Sequence, residues 1–286
     1  MTHNEEAVTK KIIKSYSENI GFPVYTAEEL LRMYQIFGVD PKSSDRRVFD
    51  VESMSHHLQH EVIKLIKSMN ISNGDLVLDA GCGNGAPARL IAKLCGCRII
   101  GVDINPNQII KALECDLLEG VDHLIKREVM DVHRVNYSAE SFDKIFHNES
   151  ICHWMNKKTA LAGLFRVLKK GGIMGFHDWS RGDIGDLNDA DGDFPGTYAE
   201  GVWFQNTIQE TRQLIEEAGF GVLHSEDTTD AVDRGLRARL RELMMSKFYL
   251  KSTSEEYFDK SSRYFKVMIE THYKYLRYAR FTCIKN

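Results

Sequence analysis

The stretch Val77-Leu-Asp-Ala-Gly-Cys-Gly-Asn-Gly85 restricts what this chain can fold into more than any other. A short apolar run, Leu76 to Leu78, ends in Asp79, and glycines follow at positions 81, 83 and 85 before a helix-like run from Ala86 to Leu94. Strand, glycine turn and helix make up a nucleotide-binding βα unit. The glycines let the backbone turn tightly and let a ligand approach without meeting a Cβ. The pattern differs from G-x-G-x-x-G, because the third glycine comes one residue early and Pro87 follows. A Walker loop would need a Lys-Ser/Thr pair, which is absent. Neither a pyrophosphate nor a triphosphate is well served.

From Asp75 onward, strands and helices alternate. Leu76–Ala80, Arg98–Val102, Leu124–Val129, Phe142–Phe146 and Ile173–His177 read as strands. Ala86–Leu94, Pro106–Leu118 and Lys157–Leu168 read as helices, the last closed by Lys169-Lys170-Gly171-Gly172. Alternation of this kind predicts a parallel sheet covered by helices, with ligands at the carboxyl ends of the strands. Upstream, residues 1–50 are amphipathic and helical, with Thr26-x-x-Glu29 as a capping box and Gly38 as a stop. A helix from about Glu52 to Met69 carries His56, His57 and His60. His56 and His60 share one face, but no third ligand is evident, so no metal is assigned. Downstream, Asp183–Gly196 is a Gly- and Asp-rich loop. It is followed by a helix (Asn206–Ala218), a strand (Gly221–Glu226), helices at Ala231–Phe248 and Glu255–Tyr275, and a last strand, Tyr278–Ile284.

Composition narrows the function classes. With 286 residues and 43% hydrophobic content, the chain can bury one large α/β core with a small cap. Its net charge of −4 argues against nucleic acid as a main partner. No apolar run approaches the length of a membrane span, and the polar N-terminus has no secretory segment. The six cysteines form no C-x-x-C pair, which points to reduced thiols in the cytoplasm.

Asp103 ends the second strand twenty residues after the glycine loop. A carboxylate there can accept from both ribose hydroxyls, in nicotinamide enzymes as in others. Asp131, between Met130 and Val132, can accept from an adenine amino group with apolar neighbours against the ring.

Together these segments carry a resemblance. Asp79-Ala-Gly-Cys-Gly-Asn-Gly85, Gly101-Val-Asp-Ile104, Met130-Asp131, Phe142-Asp-Lys-Ile-Phe146 and Leu168-Lys-Lys-Gly-Gly172 resemble, in order and spacing, the successive motifs of class I S-adenosylmethionine-dependent methyltransferases. The resemblance covers roughly residues 53 to 178. It implies a Rossmann-like, seven-stranded, mostly parallel sheet with an antiparallel final strand and a helical cap. It also implies S-adenosylmethionine as cofactor, held by Asp79, Gly81, Cys82 and Gly83 at the methionyl end and by Asp103 on the ribose. Ile104 and Gln108 would border ribose and adenine, Met130, Asp131 and Val132 would hold the adenine, and His147 would stand beside the cofactor. Residues 1–50 would form an N-terminal helical lid, 51–229 the core with an acidic and aromatic insertion at 179–205, 230–276 a helical cap, and 277–286 the last core strand.

The acceptor is less constrained. Glu149 and His153 stand four apart after the fourth strand, so a turn of helix would face both into one cavity. A histidine there can take a proton and a carboxylate can steady positive charge, or His153 can serve as scaffold. The run Tyr25–Gly38 resembles the entry helix of phosphoethanolamine and glycine–sarcosine methyltransferases. That would make Tyr25 and His153 a proton-handling pair, with Tyr34 lining the pocket. The loop after the fifth strand lacks the basic cluster that a phosphate would want. Quinone, sterol and prenyl C-methyltransferases share the same core, and Trp179, Trp203 and Phe204 suit an aromatic cage that stabilises a cation. The expectation is methyl transfer to a small-molecule acceptor, at an amine nitrogen or at a carbon of a prenyl or aromatic compound. The alternatives are a non-catalytic or regulatory S-adenosyl-ligand-binding protein and a nicotinamide oxidoreductase. An N-terminal helix can cover its own site or a neighbour's, which leaves a homodimer open.

Overall fold

The computed structural model describes residues 3–17, 26–43, 59–182, 202–249 and 255–286. The capping box forms as expected: Thr26 accepts from the Glu29 N–H, the Glu29 carboxylate accepts from Thr26 N, and Gly38 closes the helix in the left-handed region. That helix is α2 (Ala27–Phe37), which follows α1 (His3–Ser17) and precedes α3 (Gln59–Met69). The core then alternates: β1 (Leu76–Ala80), α4 (Ala86–Cys95), β2 (Arg98–Asp103), α5 (Pro106–Leu118), β3 (Ile125–Val129), β4 (Phe142–Asn148), α6 (Lys157–Val167) and β5 (Leu168–Arg181). The remaining elements are α7 (Ile208–Glu217), β6 (Phe220–Asp227), α8 (Thr229–Tyr249), α9 (Glu255–Tyr275) and β7 (Leu276–Lys285).

The strands form one seven-stranded sheet in the order β3-β2-β1-β4-β5-β7-β6. β7 runs antiparallel to both of its neighbours, and the other pairings are parallel. The order reverses between β1 and β4, and a crevice opens at such a switch point. Period-two alternation sets the two faces. On β1, Leu78 and Ala80 join the core beneath α6 and α7, while Val77 joins the core against α3 and α4. A third cluster seats Val232, Leu236, Phe265 and Met268 of α8 and α9 on Trp179, Trp203, Leu276 and Tyr278.

Several element ends differ from the sequence expectation, among them those of α6, β4 and β5. α6 ends at Val167 rather than at the glycine pair, because Leu168 pairs with Phe142 and is already extended. Gly171, at φ +74, instead serves the irregular stretch before β5 rejoins β4 at Ile173. β5 also runs past His177 to Arg181, since Asp178 through Arg181 pair with Ala279 back to Leu276 of β7. Trp179 therefore stands on a strand and not in a loop insertion. The expected acidic loop over the site, the expected helical residues 52–58 with His56 and His57, and Tyr25 lie outside the described residues. His60 is described and sits 3.2 Å from Glu61.

Candidate active site

The carboxyl ends of β1, β2, β4 and β5 open onto a single cavity of about 370 Å³, within the usual range for small-molecule sites. α1 closes it from above with Glu5, Val8, Thr9, Ile12 and Tyr16, one helical stripe.

One end is built by the glycine loop. Gly81 N and Cys82 N both donate to Val102 O, which folds the loop back over β2. Gly81 has φ +87, and a Cβ there would lie 2.6 Å from Ser150 Cβ, so only glycine fits. The Asp103 carboxylate accepts from Gly83 N and Asn105 N, both at 2.9 Å. Asp103 thus shapes the loop as well as facing the cavity. Asp131 sits past β3 and accepts from the His133 N–H and from His133 Nδ1, the latter at 2.6 Å. His133 Nε2 accepts from Asn156 N, which leaves the ring proton on Nδ1 facing Asp131. That contact pulls the Asp131 carboxyl below its ordinary range against the effect of its burial.

Three buried acceptors on the cavity wall, Asp79 Oδ2, Gln108 Oε1 and Asn148 Oδ1, have no hydrogen-bond partner among the described residues. Buried acceptors left this way cost about 1–3 kcal/mol each unless a ligand or water meets them. They fit a ligand carrying amine and hydroxyl donors. S-Adenosylmethionine, with its methionyl amine, ribose and adenine, is such a ligand. Burial also raises the Asp79 carboxyl to about 7, partly opposed by Arg127.

The other end is aromatic and acidic. His153 Nδ1 lies 2.9 Å from Val202 O and must donate there, so its Nε2 is a lone pair. Tyr16 Oη stands 2.6 Å from that Nε2 and donates to it. Burial pushes His153 below its ordinary range, which keeps the ring neutral. Trp203 packs on the same ring with centroids 4.5 Å apart, and Trp179 stacks on Trp203. Trp179 Nε1 donates to Glu149 Oε2 at 2.9 Å, so the carboxylate is aimed along the indole.

The turn carrying these groups hangs from one residue. Asp178, 2% exposed, accepts from the N–H groups of Ser150, Ile151, Cys152 and Trp179. Ser150 Oγ donates to Ala80 O, which ties the same turn to the glycine loop. Glu149 adopts φ +53, an uncommon conformation for a side-chain-bearing residue, with its N–H donating to His177 O.

The residues expected around the cofactor, Asp79, Gly81, Cys82, Gly83, Asp103, Ile104, Gln108, Met130, Asp131 and Val132, all line this one cavity. So do Glu149, His153, Trp179 and Trp203. Three others do not. Tyr34 is buried with Leu30, Met33 and Cys115 between α2 and α5. It faces that core because the apolar stripe of α2 turns it there. His147 is fully buried, stacked on Phe176 and 3.7 Å from Asp178, since β4 continues past Phe146 and directs it into the sheet's core face. Phe204 is off the cavity wall, with its backbone N–H bonded to Cys152 O. Tyr16, His133 and Asp178 were missed. Only a helical stripe through Tyr16 could have flagged the first of them.

Residues 78–176 match the family described as methyltransferase domain. The chain is 30% identical over 194 residues to sterol 24-C-methyltransferase ERG6 of Saccharomyces cerevisiae, covering 65% of this chain and 50% of that one. It is 27% identical over 229 residues to methyltransferase GfsG of Streptomyces halstedii, covering 76% and 77% of the two chains. It spans about half the length of the sterol methyltransferases it matches. Among solved structures, phosphoethanolamine N-methyltransferase 2 of Haemonchus contortus in complex with S-adenosyl-L-methionine superposes with a TM-score of 0.75 at 19% identity, covering 94% of this chain and 60% of that one. The chain thus shares the Rossmann-like fold of that structure, a seven-stranded, mostly parallel sheet flanked by helices.

Proposed function

We propose that this protein is an S-adenosylmethionine-dependent methyltransferase acting on a small molecule whose reacting atom gains positive charge as it is methylated. That atom is an amine nitrogen or a carbon of a prenyl or aromatic compound. One arrangement carries the proposal: a glycine-loop end with orphaned acceptors and, in the same cavity, Tyr16, His153, Glu149 and two tryptophans.

S-Adenosylmethionine, when bound, supplies an electrophilic methyl group on a sulfonium. Asp79 and the loop Gly81–Gly83 would hold its methionyl part, Asp103 the ribose, and Ile104, Gln108, Met130, Asp131 and Val132 the adenine. At the acceptor end, Trp179 and Trp203 present π-faces to developing positive charge, and Glu149 adds a full negative charge close by. His153 Nε2, in exchange with Tyr16, takes the proton that an amine or a methylated carbon releases. α1 excludes water from the reacting centres. The sterol 24-C-methyltransferases among the relatives favour a carbon acceptor. No helix among the described residues is long and apolar enough to cross a membrane. We assign the protein to the cytoplasm, without a nucleic acid partner, as a monomer or homodimer.

Calorimetry with S-adenosylmethionine, followed by transfer of labelled methyl to a panel of amines, sterols and prenyl compounds, tests the proposal. Saturable binding with product formation is expected. Absence of binding would overturn it, and binding without transfer to any acceptor would leave a regulatory ligand-binding protein.

A further inference from the structure

Beneath the glycine loop lies a charged cluster that the proposed transfer does not use directly. Arg89 of α4 pairs with Glu119 at 2.8 Å and Asp116 at 3.4 Å. Lys93 pairs with Glu119 at 2.7 Å. Arg127 of β3 is bidentate on Asp116 through Nε at 2.8 Å and Nη2 at 2.9 Å. Arg127 and Asp116 are both buried.

What singles out Arg127 is its sheet register. Asp79 pairs with Gly101, and Gly101 pairs with Arg127, so the three form one row across β1, β2 and β3. Val77, Ile99 and Ile125, two residues earlier on each strand, all join the core against α3 and α4. By the period-two rule Asp79 and Arg127 point to that same face. Between them Gly101 has no side chain, and the guanidinium fills the gap. A Cβ built at Gly101 would lie 2.5 Å from Arg127 Nη1 and 3.1 Å from Cys82 Sγ. Nε and Nη2 hold Asp116, Nη2 also donates to Gly85 O of the glycine loop at 3.4 Å, and Nη1 is the corner lying over Gly101.

We propose that Arg127, reaching over Gly101, is the buried counter-ion that readies Asp79 for the cationic amine of the bound ligand. It is a positioning residue for the cofactor end of the site, acting through Asp79 rather than by touching the ligand. The groups facing Asp79 are Arg127 on β3, Asp103 on β2, Asp116 on α5 and Cys82 in the loop. With Asp79 ionised, Arg89, Lys93 and Arg127 stand against Asp79, Asp103, Asp116 and Glu119, so one negative charge is in excess where a cation is to bind. Burial works against an ionised Asp79, and Arg127 is the largest influence in the other direction. A carboxylate so poised must shed its proton before an ammonium can pair with it.

The inference rests on the S-adenosylmethionine reading and is tested through S-adenosylhomocysteine, which has the same amine. Its affinity is measured by calorimetry from pH 5.5 to 8.5 for the wild type, Arg127→Met, Arg127→Lys and Gly101→Ala. Wild-type affinity is expected to fall as pH drops through about 7. In Arg127→Met the fall moves up by about one pH unit, so binding at pH 7 weakens about fivefold. Arg127→Lys, which keeps the charge, restores a midpoint near the wild-type one. Loss of the Asp116 pairing lowers thermal stability in both Arg127 variants, so stability cannot mimic the pH shift. Gly101→Ala crowds the guanidinium out of the row while keeping its charge; its midpoint is expected to move up as well, and it carries the test if Arg127→Met does not fold. Profiles that run parallel at all pH values, or equal midpoints for Arg127→Met and Arg127→Lys, would overturn the inference. No binding by the wild type at any pH would instead overturn the cofactor reading.

Discussion

His153 owes its state to its surroundings more than to its identity. The Val202 carbonyl fixes the proton on Nδ1, burial keeps the ring neutral, and Tyr16 meets the remaining lone pair. A neutral imidazole with an occupied Nε2 is a base ready to exchange one proton. Tyr16→Phe keeps the ring and removes only the hydroxyl. It is expected to lower kcat by about 10²-fold, with cofactor affinity unchanged and a stability loss of about 1 kcal/mol or less. Steady-state kinetics and a thermal melt on the same preparation check both. The pairing of a tyrosine with His153 was expected at Tyr25, while the hydroxyl described there belongs to Tyr16. Sequence spacing cannot tell which tyrosine of an N-terminal segment reaches a site more than a hundred residues away.

Among the elements, the turn after β4 depends most on tertiary support. It holds Glu149 in a left-handed conformation and is anchored by four N–H groups on one carboxylate. Asp178→Ala removes that anchor and orphans buried donors. It is expected to cost about 2–4 kcal/mol and to lower kcat by about 10²-fold through misplacement of Glu149 and His153. The cofactor Kd should stay within about twofold, since Asp79 and Asp103 stand on other strands and Asp131 just past a third. Denaturant unfolding and calorimetry separate the two effects. Equal loss of cofactor affinity would show that the turn does not serve the acceptor end alone. The glycine loop is the opposite case. Its three positive-φ glycines are written in the sequence, and its carbonyl partner on β2 follows from strand adjacency.

At the scale of the whole molecule, α1 lies over the cavity, outside the two cores that flank the sheet. Its last turn is held by Asn105 Nδ2 on Ile13 O at 3.4 Å and Gln108 Nε2 on Tyr16 O at 3.3 Å. These are side chains at the start of α5, at the rim of the cavity. Of its residues, only Ile12 packs against a core cluster, and only as a partly buried member. Removing residues 1–17 is therefore expected to leave a cooperative melt with a small drop in Tm. Cofactor release should speed up by tenfold or more, and turnover should fall by at least the about 10²-fold expected of Tyr16→Phe. Stopped-flow displacement of bound cofactor and differential scanning calorimetry read the two. A collapse of the melt would mean that α1 belongs to the core.

The sequence by itself determined the sheet, the position of the cavity and the ends of the strands that open onto it. Those depend on local rules: apolar runs of strand length, glycines where φ must be positive, and an acid at the end of each of three strands. Tertiary structure alone decided which side chains share the acceptor end. His147 and Tyr34 turned into the core because a strand ran two residues further and a helix buried its apolar stripe elsewhere. Trp179 came in from a strand paired along its length with β7, and Arg127 extends over Gly101 in the row of Asp79 because the residue between them has no side chain. Such pairings depend on register and on three-dimensional adjacency, and no spacing along one chain encodes them.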